Sequence, residues 1–160
     1  MRARNAIERL AVRAMTSRPG VFLSLRVFPH LDRWLLWMSR GRLSVFVGKP
    51  ILLLTTKGAR SGRLRTTPLL YGTDGPDLVL VASKGGAAHH PAWYHNLRAN
   101  PEVDVLAGRR TGRYLAREAS GAERDRLWAQ SVDRYGGYGT YQQRAGTRQI
   151  PVVVLSPVNQ

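Results

Sequence analysis

The chain has 160 residues, of which 43% are apolar, and this suffices for one domain whose core needs no metal or disulfide support. It contains no cysteine, which excludes disulfides, a thiolate nucleophile and cysteine-ligated zinc or iron–sulfur clusters. The net charge of +15, from 25 basic and 10 acidic residues, predicts an acidic partner: nucleic acid, anionic lipid or a polyanionic small molecule.

The first part of the chain, residues 1–45, is strongly basic, with nine arginines and only Glu8 and Asp32 as acids. Apolar residues recur at helical spacing over residues 31–38, and Pro29 prevents one long continuous helix. We expect a helical segment that either packs across the domain or rests, as a basic amphipathic element, on an anionic membrane surface. No secretory signal is evident, so we expect a cytoplasmic protein, at the inner face of the membrane in the second case.

From Pro50 onward, short runs rich in Leu, Val and Thr alternate with turn signals, a pattern typical of β-strands. The turn signal at residues 73–76 predicts an antiparallel hairpin between the second and third strands. A second hairpin is predicted through residues 108–112. The predicted strands cover residues 51–56, 64–71, 78–83, 103–106, 113–117 and 150–155.

Two helices are predicted between these strands. One covers residues 92–99 and ends before Pro101, because the residue before proline resists the helical conformation. The other covers residues 121–133 and begins at a capping box formed by Ser120 and Glu123. Short strands joined by hairpins favour an antiparallel barrel with helices packed on it, an α+β fold, over a doubly wound parallel sheet. No Gly-x-Gly-x-x-Gly fingerprint opens a helix after the first strand.

Residues 57–65, here called the basic loop, join the first two predicted strands and are a candidate anion site. They contain four basic side chains, the hydroxyl of Ser61, and two glycines that free backbone amides to point at an anion. The loop is not a Walker A motif, because Arg63 follows the second glycine. The alternative interpretation is a solvated hairpin turn whose charges serve solubility.

Residues 83–97 combine several recognition chemistries and are interpreted as one wall of a cofactor site. The small residues Ser83, Gly85 and Gly86 allow a ligand close to the backbone, and Lys84 can meet an anion. Trp93 can stack on a flat ring and Asn96 can both donate and accept hydrogen bonds, although a tryptophan is as often a core residue.

Neither a metal centre nor a serine hydrolase site is predicted. The histidines at positions 89, 90 and 95 lack the one-turn spacing and the acidic partner of a zinc motif. Ser61 does not stand in a Gly-x-Ser-x-Gly elbow.

Three tyrosines at equal spacing, Tyr135, Tyr138 and Tyr141, are interleaved with glycines. Phenols stay protonated at neutral pH, so they can line an apolar pocket and donate to a carbonyl or nitro oxygen. The glycines favour a mobile loop or lid. The alternative is a terminal helical turn that packs one face on the barrel.

The ordered set of these motifs over residues 50–157 resembles the deazaflavin (coenzyme F-420)-dependent nitroreductase and quinone reductase family. The resemblance implies a split β-barrel like that of FMN-binding proteins, over residues 46–160, that binds reduced coenzyme F-420, a polyanion through its phosphate and oligoglutamate tail. The motif residues are Thr56, Lys57, Gly58, Ser61, Gly62, Thr67, Pro68, Ser83, Lys84, Gly85, Gly86, Pro91, Trp93, Tyr94, Asn96, Asn100, Pro101, Ile150 and Pro151.

The resemblance also implies roles for individual residues. The phosphate and tail would be bound by the two cation-bearing segments, through Lys57, Arg60, Ser61, Arg65, Lys84, Gly85 and Gly86. Ser83, Trp93 and Asn96 would contact the ring. The substrate would be bordered by Tyr71, Tyr135, Tyr138 and Tyr141, and the donor to its developing oxyanion would be Ser83, Tyr138 or Tyr141.

The resemblance implies an enzyme that transfers a hydride from the reduced coenzyme to an electrophilic acceptor, such as a quinone, a nitroaromatic compound or a conjugated carbonyl. Two alternatives stay open at this point: an FMN-dependent split-barrel oxidoreductase and a basic nucleic-acid-binding module. Against the second, the aromatic residues do not interleave with the basic ones as stacking platforms would, so we expect no specific nucleic-acid partner. The oligomeric state is not predicted.

Overall fold

The computed structural model describes residues 50–158. The predicted helical segment of residues 1–45 lies outside these residues, and its contact with a membrane stays a prediction. The strands are β1 (Ile51–Lys57), β2 (Leu64–Leu70), β3 (Gly72–Asp74), β4 (Asp77–Val81), β5 (Glu102–Leu106), β6 (Gly112–Glu118) and β7 (Val152–Pro157). The α-helices are α1 (Ala92–Ala99), α2 (Gly121–Arg134) and α3 (Gly137–Arg144), with short 3-10 turns at Lys84–Gly86 and Gly108–Arg110.

All seven strands form one sheet in the order β2-β1-β5-β6-β7-β4-β3, and every neighbouring pair is antiparallel. The two edge strands, β2 and β3, are separated in the chain by Tyr71 alone. The edges must therefore lie close together, and the sheet curls into a half-barrel. The predicted antiparallel split barrel is confirmed.

Alternate residues of β1, β4 and β7 point into the barrel and form its core. They are nearly inaccessible to solvent: Leu52, Leu54, Leu78, Leu80, Val153 and Leu155. Helix α1 contributes Trp93, Tyr94 and Leu97 to the same core. An apolar helix face thus closes the inside of the barrel.

The opposite faces of β4 and β7 are also buried, because α2 and α3 pack over them. Val79 and Val154 contact Leu127 of α2, and Val81 packs with the tyrosines around α3. Strands buried on both faces have continuous apolar sequences. This explains why residues 78–81 and 152–155 show no polar alternation.

The second and third predicted strands needed correction. The second ends at Leu70, and the chain continues through Tyr71 into the short strand β3. The turn at residues 73–76 therefore joins β3 to β4, with Gly75 in the left-handed region at φ 58°. It does not join β2 to β4, which lie far apart in the strand order.

The capping box predicted for α2 was also wrong in its detail, although the helix is confirmed. The Ser120 side chain makes no capping hydrogen bond. Glu123 instead accepts two hydrogen bonds of 2.7 Å from the guanidinium of Arg117 on β6. The Glu123 carboxylate, which was predicted to complete the capping box, instead connects the first turn of α2 to β6.

Strand directions bring two loops to the same end of the half-barrel. Because neighbours are antiparallel and four steps separate β1 from β4 in the strand order, these two strands run in the same direction. The basic loop after β1 and the segment after β4 therefore open at one end, where α1 closes the core. In the described part of the chain, no helix is long and apolar enough to cross a membrane.

We predict that Leu80→Ala lowers the free energy of unfolding by about 2–5 kcal/mol, because it leaves a cavity inside the barrel. Leu80 is 1% exposed, whereas Leu64 is 71% exposed. The matched change Leu64→Ala should therefore stay within about 0.5 kcal/mol of the parent protein. Denaturant unfolding of both variants checks this, and equal losses would contradict the core described above.

Candidate active site

The basic loop is a compact turn with outward-pointing cations. The amide of Gly58 donates to the carbonyl of Arg63 at 2.9 Å, and that of Gly62 donates to Gly58 at 2.8 Å. A Cβ at Gly58 would lie 2.6 Å from the Ser61 hydroxyl oxygen and 3.2 Å from the carbonyl oxygen of Arg63, so a larger residue would force the turn to shift. The Lys57, Arg60 and Arg65 residues are exposed.

These cations are not neutralised within the described structure. Among residues 50–158, the ion pairs within 4.0 Å involve only other arginines, namely Arg113, Arg117, Arg124 and Arg126. Lys57, Arg60, Arg65 and Lys84 have no carboxylate partner there. Their charges are available to an anionic ligand.

Asn96 holds the basic loop in place from α1. Its amide nitrogen donates to the buried Thr56 hydroxyl at 3.1 Å, and its amide oxygen accepts from the backbone amide of Ala59 at 3.0 Å. Both polar ends of this buried side chain thus have protein partners. Asn96 therefore positions the loop, and its predicted contact with a ring stays a prediction.

Residues 82–90, here called the lysine loop, follow β4 and have an unusual backbone. Lys84, Gly85 and Gly86 are all in the left-handed region, with φ of 49°, 63° and 82°. A Cβ at Gly86 would lie 2.6 Å from the carbonyl oxygen of Tyr141, so the loop touches α3 directly. The Ser83 hydroxyl is half-buried and has no hydrogen-bond partner among residues 50–158.

Arg148 is the residue at this end that the sequence analysis missed. Its guanidinium donates hydrogen bonds to three backbone carbonyls of the lysine loop and contacts the His90 ring nitrogen. Arg148 is one of many arginines in this chain and belongs to no recognisable motif, so no sequence signal distinguished it.

Trp93 and Tyr94 belong to the core. Trp93 is 7% exposed and packs inside the barrel, so its indole presents no open face in this structure. The Tyr94 hydroxyl donates to the Glu118 carboxylate at 2.6 Å. Burial, and then this carboxylate, raises the pKa of Tyr94 to about 12. The role of Trp93 at a ring stays a prediction.

The tyrosine segment is a helix, so the predicted mobile loop was wrong and the alternative holds. Tyr138 and Tyr141 lie on α3, Tyr135 ends α2, and all three side chains are buried. The spacing of three places Tyr138 and Tyr141 on one face of α3, and the Tyr135 ring packs against them from the end of α2. Gly137 is required because a Cβ there would lie 2.5 Å from the Tyr135 ring.

The phenols of this cluster differ in their partners. Tyr135 and Tyr141 share a hydrogen bond of 3.1 Å between their hydroxyls. The Tyr138 hydroxyl has no hydrogen-bond partner among residues 50–158, although its side chain is buried. Burial raises the pKa of both Tyr135 and Tyr138, so both phenols stay protonated. Tyr138 therefore has an unused donor.

A small cleft lies between the tyrosine cluster and the place where β2 passes through Tyr71 into β3. Its volume is about 40 Å³. One of its lining residues, Val81, lies two residues before Ser83 in the chain. The lining residues are Pro50, Leu70, Tyr71, Gly72, Val79, Val81, Ser131, Arg134, Tyr135 and Tyr138.

Strand β2 forms the open side of the half-barrel. Arg65, Thr67 and Leu69 pair with the inward-facing residues of β1 and so share their inward face. In contrast to those partners, Thr67 and Leu69 are only half-buried and Arg65 is exposed. A ligand can therefore reach the inner face of the sheet along β2.

Comparisons with known proteins agree with this architecture. A family model described as F420H(2)-dependent quinone reductase matches residues 37–157. A Mycobacterium tuberculosis protein named F420H(2)-dependent quinone reductase is 44% identical over 111 residues, which is 67% of this chain and 73% of that protein.

Solved structures give the same result. A structure of an F420-H2 dependent reductase (FDR-A) matches with a TM-score of 0.62 and 42% identity, over 67% of this chain and 94% of that one. A structure described as a domain-swapped dimer matches with a TM-score of 0.63 and 37% identity, over 79% and 96% of the two chains.

We predict that Asn96→Ala lowers the free energy of unfolding by about 1–3 kcal/mol, because it leaves the buried Thr56 hydroxyl and the Ala59 amide without a partner. Asn100→Ala is the matched control, since Asn100 makes one longer exposed bond of 3.3 Å, to the carbonyl of Lys57. Its loss should be no more than about 1 kcal/mol. Chemical denaturation measures both, and indistinguishable losses would refute the role given to Asn96.

Proposed function

Because this chain belongs to the F420H(2)-dependent quinone reductase family, whose members are oxidoreductases with coenzyme F-420 as cofactor, we propose that it reduces quinones by two electrons. The observation that carries the proposal is that two loops with unneutralised cations open at the same end of the half-barrel. One of them, the lysine loop, follows directly after Val81, which lines a cleft that contains an unused phenol donor.

The residues present suit a polyanionic coenzyme. Lys57, Arg60 and Arg65 on the basic loop and Lys84 on the lysine loop supply cations without carboxylate partners. Fixed cations on a loop held by α1 attract a phosphate and a carboxylate tail without rearrangement. We assign these side chains, with Ser61 and the backbone of Gly85 and Gly86, to the phosphate and tail.

The ring of the coenzyme fits the open side of the half-barrel. Ser83, which follows β4, has a hydroxyl without a hydrogen-bond partner among residues 50–158, and the inner face of β2 is only half covered. Trp93 and Asn96 support the ring site without facing it. Trp93 closes the barrel core, and Asn96 holds the basic loop. When bound in its reduced form, the coenzyme supplies a hydride at carbon 5 of its ring.

The cleft lined by Tyr71, Tyr135 and Tyr138 is the proposed acceptor site. Its walls are mostly apolar and aromatic, which suits a flat, weakly polar quinone. Its volume of about 40 Å³ is far below the roughly 300 Å³ of typical ligand sites. Entry of a quinone therefore requires an outward movement of α3 or of the Tyr138 ring.

Reduction of a quinone to a hydroquinone consumes, in net terms, one hydride and one proton. The chain's contribution is to hold both molecules, exclude water and stabilise the oxyanion that develops. Tyr138 is the proposed donor to that oxyanion, because Tyr141 is already bonded to Tyr135. Its buried position keeps the phenol protonated, and solvent restores its proton after turnover.

We predict that Lys84→Ala raises the Kd for coenzyme F-420 about tenfold, the effect expected from losing one charge-assisted contact. Arg109→Ala is the control, because it removes a cation from the hairpin at the opposite end of the sheet. Its Kd should stay within about twofold of the parent value. Titration by the coenzyme's absorbance or fluorescence checks both, and equal changes would argue for nonspecific attraction.

We predict that Tyr138→Phe lowers kcat for quinone reduction about 100-fold, as for removal of one oxyanion donor, with the coenzyme Kd unchanged. Tyr141→Phe removes a phenol of the same cluster that is already paired, so its kcat should fall far less. Stopped-flow turnover with menadione separates the two. The assignment fails if both variants lose activity equally.

An acceptor panel tests the function itself. Purified protein with reduced coenzyme F-420 should reduce menadione, as followed by the return of the oxidised coenzyme's visible absorbance. Nitroaromatic compounds and conjugated ketones, tested alongside, define how broad the acceptor range is. A bound flavin spectrum on purification, with no turnover of the deazaflavin, would favour the FMN alternative.

A further inference from the structure

Arg148 joins both ends of the lysine loop. Its guanidinium donates to the carbonyls of Ala82 at 3.4 Å, Ser83 at 2.8 Å and Ala87 at 2.9 Å. One terminal nitrogen also lies 3.0 Å from Nδ1 of His90. A single side chain thus contacts the segments on both sides of Lys84.

We propose that Arg148 is a positioning residue for the coenzyme: it holds the lysine loop in the conformation that presents Ser83 and Lys84. This inference rests on the proposed function, which places the coenzyme at this loop. Arg148 itself would not touch the coenzyme, because its hydrogen-bond donors are directed at the backbone of the loop.

The loop needs such a support because its backbone conformation is unfavourable in free energy. Three successive residues are in the left-handed region, and one of them is Lys84 at φ 49°. A non-glycine residue there persists only when the surroundings impose it. Within the loop, the Gly86 amide donates to Ser83 at 3.0 Å and that of Ala87 to Lys84 at 3.2 Å. These two local bonds leave the carbonyls of Ala82 and Ala87 to Arg148.

The geometry requires a guanidinium. Arginine offers five N–H donors in a planar fork, which can reach several carbonyls at once. A lysine ammonium retains the charge but cannot span acceptors on both sides of the loop. Arg148 is itself held, because its backbone amide donates to the carbonyl of Ala145 at 3.2 Å and Ala145 is buried.

The charge of Arg148 has no neutralising carboxylate within 4.0 Å among residues 50–158. Partial burial lowers its pKa, but the guanidinium stays protonated at neutral pH. A loop held by carbonyl contacts therefore keeps its positive potential. A carboxylate at the same place could not donate to these carbonyls and would repel the anionic coenzyme.

His90 makes this support sensitive to pH. Arg148 can donate to Nδ1 only while that nitrogen is unprotonated. His90 is surrounded by Arg148, Arg98, His95, the Tyr94 ring and Glu118. Burial, then the Arg148 cation, lowers the pKa of His90 below 6.5, and Glu118 only partly opposes this.

The direction of the pH effect follows from that lowered pKa. The stabilising contribution of neutral His90 is fully present above pH 6.5 and is lost as the pH falls through its lower folded-state pKa. Acid should therefore weaken the support that His90 and Arg148 give to the lysine loop.

The decisive experiment compares Arg148→Met, Arg148→Lys and the distant control Arg109→Met. In the coenzyme-free proteins, we expect hydrogen exchange at residues 83–90 to rise about tenfold in Arg148→Met, with the strands unchanged. The coenzyme Kd should rise by at least about tenfold in Arg148→Met, with a smaller change in kcat at saturation. Arg148→Lys should recover only part of both losses, and Arg109→Met should resemble the parent.

His90→Gln supplies the readout that a merely structural arginine would not change. The glutamine amide oxygen can accept from Arg148 and does not titrate. Between about pH 7.5 and about pH 5, the parent protein should lose more coenzyme affinity than His90→Gln does. Other titrating groups, including those of the coenzyme, are common to both proteins and cancel in this comparison.

The outcomes separate this inference from the proposed function. If the parent protein does not bind coenzyme F-420, the proposed function fails. If the parent binds but Arg148→Met leaves both loop exchange and Kd unchanged, the positioning role is overturned. Full recovery by Arg148→Lys, or identical pH profiles for the parent and His90→Gln, would also overturn it.

Discussion

The single-residue connection at Tyr71 is the constraint on which the rest of the structure depends. It joins the two edge strands of a seven-stranded antiparallel sheet, so the sheet has to curl until its edges lie close together. Curling gives the sheet an inside that α1 closes. The loops after β1 and β4 open at the same end, because these two strands run in the same direction. The site is thus a consequence of how the sheet closes.

The strands that form the buried core and the strand that borders the proposed site lie on different sides of this half-barrel. Strands β4 and β7 are buried on both faces, by the barrel core and by the packing of α2 and α3. Strand β2 has no fully buried residue. Such a division leaves a rigid wall to anchor the lysine loop and an open wall along which a flat ligand can enter. The cations around the opening have no carboxylate partner among residues 50–158, which leaves them available to the proposed anionic ligand.

Periodic patterns predicted most of the fold, but contacts between distant residues could not be predicted. The strands, the helix at residues 92–99 and the helix after Ser120 follow from local apolar spacing and from proline and glycine signals. The tyrosine segment was mistaken for a loop because its glycines suggested mobility, whereas Gly137 allows close packing against Tyr135 and Gly86 of the lysine loop allows close packing against α3. Asn96 and Arg148 act on segments that are 37 and up to 66 residues away in sequence, and no local pattern reports such pairs.

A crystal structure of the protein with coenzyme F-420 bound would test the proposed site most directly. We expect the phosphate and tail between the basic loop and Lys84, with the ring beside Ser83 on the open side of β2. The Tyr138 hydroxyl should face the space above the ring where an acceptor would lie. A coenzyme bound elsewhere, away from both loops, would contradict this placement of the active site.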